Sequence, residues 1–125
     1  MISAKKALER LQEGNQRFVA GVRSLDTLTS QMRRNELVSG QTPFAIILGC
    51  SDSRVPAEMV FDQGVGDLFV IRVAGNVVAP SQVGSVEFAA ERFGTQLVVV
   101  PVMFHRLTLL MQNLVHCLSQ LLNIH

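Results

Sequence analysis

The chain has 125 residues and a mass of 13.7 kDa, which suits a single domain. Hydrophobic residues make up 48% of it and charged residues 17%, a balance that supplies a core and excludes an intrinsically disordered chain. Eleven basic and ten acidic side chains leave a net charge of +1, which provides no broad electrostatic surface for nucleic acid or an anionic membrane. We therefore expect the partner to be a small molecule or another protein.

The two cysteines and the first residues indicate the cellular compartment. Cys50 and Cys117 are too few for a disulfide framework, so we expect both to be reduced thiols. The basic residues near Met1 are not followed by an apolar segment, because Glu9 and Arg10 interrupt it, and a secretory signal requires such a segment. We expect a cytoplasmic protein with no membrane span.

The first part of the chain has a helical pattern. Apolar residues in the range 3–20 recur near helical spacing, with charged residues available for the solvent face. Gly14 and Gly21 are expected to break or end helical turns. A second helix is possible near Leu28 to Val38.

Three short apolar runs predict strands buried on both faces of a sheet. They are Phe44 to Gly49, Asp67 to Val73 and Gln96 to Val100. Between the second and third runs we expect a helix that Ser81 caps and Gly94 ends. The alternation of strands and helices predicts an α/β fold with a parallel β-sheet core and flanking helices.

The segment Cys50-Ser-Asp-Ser-Arg54 lies where a buried strand passes into a loop, the usual place for functional groups in a parallel sheet. In an extended backbone Cys50, Asp52 and Arg54 would project to one side. A thiolate suits zinc, and Arg54 can clamp Asp52 through two parallel hydrogen bonds. Alternatively, Cys50 is a small buried hydrophobe beside a surface ion pair.

Four blocks in order resemble the β-class carbonic anhydrases. They are Leu8-Glu-Arg-Leu-Gln-Glu-Gly-Asn-Gln-Arg-Phe18, Cys50-Ser-Asp-Ser-Arg-Val-Pro56, Gly66-Asp-Leu-Phe-Val-Ile-Arg72 and Ala74-Gly-Asn76. The match runs from about Leu8 to Val100, and four blocks in family order are far more specific than one motif.

The resemblance implies a role for each matching residue. Cys50 would be a zinc ligand, Asp52 and Arg54 would form the catalytic dyad, and Asp52 could also occupy the metal's open position. Arg72, Ala74, Gly75 and Asn76 would shape the neighbouring strand and loop. The family's reaction is the reversible hydration of carbon dioxide to bicarbonate, and its basic unit is a dimer, so we expect a homodimer or a higher oligomer. Related proteins act on other small linear molecules such as carbon disulfide.

The sequence departs from the family directly after Val100. The family pattern Leu-Gly-His-x-x-Cys supplies the two remaining zinc ligands, whereas this chain has Pro101-Val-Met-Phe-His-Arg106. Met103 and Arg106 then stand in place of those ligands, so the zinc site is expected to be incomplete. A site rebuilt from Cys50, His105 and Cys117 is a minor alternative.

The range 101–125 is expected to be a divergent apolar tail of the same domain as residues 1–100. Leucines at helical spacing from Leu107 to Leu121 predict a helix. The fold is then β-carbonic anhydrase-like and incomplete at its C-terminus. Two functions follow as hypotheses: an impaired zinc-dependent carbonic anhydrase, or a non-catalytic interaction or dimerisation module derived from that family.

Overall fold

A computed structural model describes residues 1–23 and 31–101, together with the backbone of Val115–Cys117. Its elements, in chain order, are α1 (Ala4–Val19), α2 (Gln31–Glu36), the 3₁₀ turn Leu37–Ser39, β1 (Ala45–Gly49), the single helical turn α3 (Ala57–Val60), β2 (Leu68–Arg72), the 3₁₀ turn Ala74–Asn76, α4 (Pro80–Phe93), β3 (Leu97–Val99) and β4 (Val115–Cys117). The predicted α/β fold is confirmed.

The sheet has the strand order β2-β1-β3-β4. β1 pairs in parallel with β2, with Gly49 opposite Arg72, and in parallel with β3, with Ile47 opposite Val99. All three predicted strands are therefore found, each trimmed by a residue or two at its ends. Their carboxyl ends lie at one edge of the sheet, where loops that carry functional groups are usually placed.

Both faces of the sheet are covered, which explains why the strands read as continuous apolar runs. On one face α1 and α3 pack against Ala45 and Ile47 of β1, and Leu11 and Phe61 there have no exposed surface. On the other face α4 packs against Ile46 and Leu48, with Ala89 fully buried between them. Alternate residues of β1 thus point into two separate cores.

Helix α1 is capped at its start by Ser3 and continues through Gly14, where the sequence predicted a break. Ser3 caps it by accepting a hydrogen bond from the N–H of Lys6 at 3.4 Å. Gly14 does not break the helix: it is buried inside it, and a Cβ there would overlap the carbonyl oxygen of Phe61. The predicted break was wrong because this glycine serves a close approach between two segments and not a turn.

Two polar contacts hold α1 against the last residue of α3 and the segment that follows it. The Asn15 side chain donates to the carbonyl of Val60 at 3.1 Å. Arg17 Nε donates to Asp62 Oδ2 at 2.6 Å, and the Asp62 side chain has no exposed surface. These bonds satisfy polar groups that burial would otherwise penalise.

Helix α4 begins two residues earlier than predicted. Pro80 is its first residue, Ala79 precedes it in an extended conformation, and the Gln82 side chain accepts from the Ala79 N–H at 3.2 Å. Ser81 therefore lies inside the first turn and does not cap the helix, because proline is favoured at the first helical position. Gly94 ends the helix in the left-handed region, as predicted.

The C-terminal part differs from the predicted helix wherever it is described. Val115–Cys117 form β4, which pairs antiparallel with β3, so a helix through these three residues was a wrong prediction. An edge strand offers unpaired backbone groups, and pairing with them outweighs the helical spacing of the leucines. The rest of the predicted tail helix lies outside the described residues. Within the described parts of the chain, no helix is long and apolar enough to cross a membrane.

Candidate catalytic and metal site at the carboxyl edge of the sheet

Three segments meet at the edge where the parallel strands end. Cys50 follows β1, the turn Ala74–Asn76 follows β2, and Pro101 follows β3. The parallel register brings them together, because Gly49 lies opposite Arg72 and the N–H of Val73 donates to the Gly49 carbonyl at 3.1 Å. The chain thus brings Cys50, Asp52 and Arg54 to the edge that their position in the sequence predicts.

Asp52 and Arg54 form a doubly bonded pair. Arg54 Nη2 lies 2.6 Å from Asp52 Oδ2, and Arg54 Nε lies 2.9 Å from Asp52 Oδ1. This is the predicted clamp, but the backbone from Asp52 to Arg54 is not extended as predicted. The Val55 N–H donates to the Asp52 carbonyl at 3.2 Å, and the Arg54 N–H donates to Asp52 Oδ1 at 2.9 Å. A turn, not an extended strand, therefore folds Arg54 back on Asp52.

The hydrogen bonds from Arg54 keep Asp52 ionised. The Arg54 side chain contributes most and its backbone N–H next, and together they lower the pKa of Asp52 from 3.8 to about 2. The same contact raises the pKa of Arg54. The carboxylate is 23% exposed, so at neutral pH it remains a charged acceptor open to a small molecule.

The pKa of the Cys50 thiol is lowered from its ordinary value. The main cause is the Gly75 N–H, which donates to Cys50 Sγ at 3.4 Å, and the Asp52 N–H adds to it. Burial and the Asp52 charge act in the opposite direction. Gly75 can point its N–H this way because its φ is +69°, a left-handed conformation that glycine adopts without strain. A thiolate is the form that binds metals.

Arg72 fixes the loop that carries these groups. Its Nε donates to the Cys50 carbonyl at 2.9 Å, and its Nη2 donates to the Asp52 carbonyl at 2.6 Å. One planar guanidinium therefore spans both carbonyls and sets the spacing between the thiol and the carboxylate along the backbone.

Asn76 connects this loop to the segment after β3. Its side-chain amide donates to the Pro101 carbonyl at 2.6 Å. Sequence reasoning placed Arg72, Gly75 and Asn76 beside the site only through the family resemblance, and it missed what each one contacts. Their position in the sequence was the available signal. Residues at the carboxyl end of one parallel strand lie at the same edge of the sheet as those at the end of the neighbouring strand.

The described residues do not complete a zinc site. Among them, no three side chains of the His, Cys, Asp and Glu types are grouped closely enough to hold a metal ion. Cys50 and Asp52 fit the chemistry of zinc, but structural and catalytic zinc sites use at least three protein ligands. Met103, His105 and Arg106 lie outside the described residues.

The alternative zinc-ligand set of Cys50, His105 and Cys117 does not fit the register of β4 on β3. β4 pairs Cys117 with Leu97, which is level with Ala45, five residues before Cys50. At about 3.3 Å per residue this is roughly 16 Å along the sheet. A zinc ion lies about 2.3 Å from each sulfur that binds it, so the backbone register places Cys117 too far along the sheet to fit this set with Cys50.

Comparisons with known proteins agree with this arrangement. A family model described as carbonic anhydrase matches residues 45–105. Carbonic anhydrase 2 of Mycobacterium tuberculosis is 49% identical over 94 residues, covering 75% of this chain. Among solved structures, the β-carbonic anhydrase CafA of Aspergillus fumigatus is 28% identical with a TM-score of 0.52, over 74% of this chain and 44% of its own. A tetrameric β-carbonic anhydrase of Sordaria macrospora is 31% identical with a TM-score of 0.51, over 54% of this chain and 36% of its own.

The sheet, the Cys-x-Asp-x-Arg loop at its edge and these matches place the chain in the carbonic anhydrase family. Within that family it belongs to the β class, as its structural relatives do. The chain spans 45% of the length of the M. tuberculosis relative.

Proposed function

We propose that this chain carries part of the site for zinc-dependent, reversible hydration of carbon dioxide to bicarbonate, and that the reaction is impaired in this chain on its own. The observation that carries the proposal is the joint placement of a thiol with a lowered pKa and an ionised, clamped carboxylate at one sheet edge. Membership of the β-carbonic anhydrases supports that reaction in preference to other uses of such a site.

Each retained side chain has a physical role in this proposal. Cys50 supplies a thiolate donor, which the Gly75 N–H stabilises. Asp52 stays charged at neutral pH and accepts a hydrogen bond or a proton at its exposed oxygen atoms. Arg54 occupies both carboxylate oxygens of Asp52 and so fixes their direction.

The impairment follows from the residues at the two remaining ligand positions. Met103 and Arg106 stand where the family pattern has His and Cys. A thioether is a poor zinc ligand and a guanidinium is a cation, so neither replaces a neutral imidazole or a thiolate. Cys50 and Asp52 alone would bind zinc weakly.

The test compares four proteins: the native chain, Cys50→Ser, the double variant Met103→His with Arg106→Cys, and a control pair Met111→His with Arg92→Cys, which adds the same two side-chain types outside the family motif. Zinc per chain is measured by elemental analysis after purification, and carbon dioxide hydration by stopped-flow with a pH indicator. We expect substoichiometric zinc and little hydration in the native chain. The double variant should gain both, and the control pair should gain neither.

Two outcomes would overturn the proposal. Stoichiometric zinc with full hydration in the native chain would contradict the impairment. Zinc in the double variant that survives an added Cys50→Ser change would contradict the role of Cys50, because the metal would then be held elsewhere.

Association between copies is part of the proposal. The S. macrospora relatives are described as tetrameric, and this chain exposes apolar side chains between β2 and the middle of α4, namely Val77, Val78, Val83 and Phe88. Exposed apolar area of this kind favours a protein contact. We propose a homodimer or a higher oligomer.

The exposed apolar residues also favour a second candidate function, a non-catalytic module that associates with complete subunits of the same family. Co-expression with a full-length homologue, followed by affinity purification, tests it directly. The module hypothesis predicts recovery of a mixed oligomer, with weaker recovery for Val83→Ser than for the control Ser85→Ala. Equal recovery of the homologue by an unrelated bait would exclude it.

A further inference from the structure

A second cleft lies at the amino edge of the sheet, the edge opposite the candidate site. It is open to solvent and has a volume of about 600 Å³, within the roughly 300–1,000 Å³ typical of small-molecule sites. Its walls come from α2 and the turn that follows it, from the segment 40–42 that leads into β1, and from the last two residues of α4. The five residues of β1, at about 3.3 Å each, separate it by roughly 16 Å from the edge that carries Cys50.

Two half-buried apolar side chains, Leu37 and Phe93, line part of the cleft. The ring of Phe93 packs against the rings of Phe69 and Phe88, whose centroids lie 5.8 Å and 6.0 Å from its own. Leu37 packs closely on Gly66, where a Cβ would overlap it. The cleft therefore presents a fixed apolar surface with one aromatic ring, against which the ring of a ligand can pack in an offset or edge-to-face arrangement.

One arginine of the cleft is already neutralised by the protein. Arg33 Nε donates to the Val65 carbonyl at 3.2 Å, and its Nη2 donates to Asp67 Oδ1 at 3.2 Å. Its Nη1 lies 3.5 Å from the carboxylate of Glu36, the acidic side chain that lines the cleft. Arg33 and Glu36 therefore hold the wall together and offer little net charge to a ligand.

Three other polar side chains of the cleft are not used by the fold. Arg92, Gln41 and Thr42 are exposed there and make no hydrogen bond or ion pair with any group in the ranges 1–23 and 31–101. Arg92 lies in the last turn of α4, and the carboxyl end of a helix carries about half a negative charge. The full charge of the guanidinium exceeds it, so the balance favours an anion. A guanidinium binds a phosphate or carboxylate through two parallel hydrogen bonds.

We propose that this cleft binds a small organic anion that carries a ring. Its phosphate or carboxylate group pairs with Arg92, and its ring lies against Phe93 and Leu37. Gln41 and Thr42 supply hydrogen-bonding groups for polar substituents of the ligand. The site needs no metal, lies at the sheet edge opposite Cys50, and is independent of the proposed function.

The probes are phenyl phosphate and benzoate, added to the full chain and followed through the backbone amides in ¹H–¹⁵N spectra. We expect saturable shifts at Thr42 and Phe93, with the amide of Gly75 at the opposite edge unmoved. Arg92→Gln should weaken binding about fivefold or more, because it removes the charged donor. Arg34→Gln is the matched control: Arg34 is an exposed arginine of α2 that does not line the cleft, and its loss should leave the binding constant unchanged.

Two further probes separate the charge from the ring. Inorganic phosphate lacks the ring and benzyl alcohol lacks the charge, so both should bind more weakly than phenyl phosphate. Tighter binding of phenyl phosphate than of benzoate would support an organic phosphate as the ligand, and the reverse order a carboxylate. An absence of saturable shifts with both anions would overturn the proposal. Equal weakening by Arg92→Gln and Arg34→Gln, or equal binding of inorganic phosphate and phenyl phosphate, would also overturn it.

Discussion

The Gly75 N–H donates to Cys50 Sγ at 3.4 Å, from a residue held at φ +69°. The thiol lies after β1 and the glycine after β2, so the parallel register of two strands creates the contact. It is also the largest cause of the lowered pKa of the thiol. The reactivity of Cys50 therefore depends on a backbone conformation 25 residues away in the chain.

Gly75→Ala tests this dependence. Alanine is disfavoured in the left-handed region by about 1 kcal/mol, so the turn should shift and weaken the hydrogen bond. We expect the pKa of Cys50 to rise towards its ordinary value, measured as the pH dependence of alkylation by iodoacetamide. Gly94→Ala is the matched control, because Gly94 has φ +63° at the end of α4 and its nearest contact is the flexible Met1 side chain. An equal shift in both variants would contradict the specific role of Gly75.

The pKa of Asp52 tests the Asp52–Arg54 pair. The pKa of Asp52 in the folded chain, about 2, lies below its ordinary value of 3.8, so folding favours the ionised form. The stability that ionised Asp52 contributes to the folded chain is complete above about pH 4 and is lost as the pH falls towards 2. Arg54→Gln should raise the pKa of Asp52, but not fully to 3.8, because the Arg54 backbone N–H remains a donor.

The measurement is a carboxyl ¹³C titration of Asp52 by NMR. Arg92→Gln serves as the control, since Arg92 is an exposed arginine on α4, distant in sequence from the site. A titration midpoint for Asp52 that stays near 2 in Arg54→Gln would show that other groups, such as Arg72, hold the pKa down.

The fold was predictable because its strands are buried on both faces. Residues Ala45 to Gly49 read as one apolar run, and the structure buries every one of them. The conformation at Asp52 was not predictable in the same way, because a turn stabilised by a side-chain acceptor leaves no periodic pattern. The family resemblance identified the residues of the site, and their mutual hydrogen bonds emerged only from the folded chain.

Long-range pairing also limits what local patterns can predict. Val115–Cys117 form a strand although the leucines around them repeat at helical spacing. The partner is the edge of β3, almost twenty residues earlier in the chain, and a local pattern contains no information about an edge that needs a partner. For the same reason the candidate ligand set containing Cys117 could be tested only once the register was known.

The contact between Arg17 and Asp62 should contribute measurably to stability. Asp62 has no exposed side-chain surface, and Arg17 Nε lies 2.6 Å from Oδ2. Arg17→Met removes a charged donor from a buried carboxylate, which should lower the free energy of unfolding by about 2 kcal/mol. Lys6→Met on the exposed face of α1 is the control and should change it by less than about 0.5 kcal/mol. Urea denaturation followed by circular dichroism measures both, and equal effects would contradict the contribution of the pair.

The substitution of glycine by alanine is expected to change the stability of the chain in opposite directions at Gly14 and at Gly84. Both lie inside helices, and alanine is favoured over glycine there by up to about 1 kcal/mol. At Gly84 a Cβ would meet nothing within 4 Å, so Gly84→Ala should stabilise the chain by several tenths of a kcal/mol. At Gly14 the Cβ would overlap the Phe61 carbonyl oxygen and force α1 away from α3, so Gly14→Ala should destabilise it by about 2 kcal/mol. The measurement is the thermal unfolding temperature of each variant compared with that of the native chain. A stabilised Gly14→Ala would mean that α1 does not dock against Phe61.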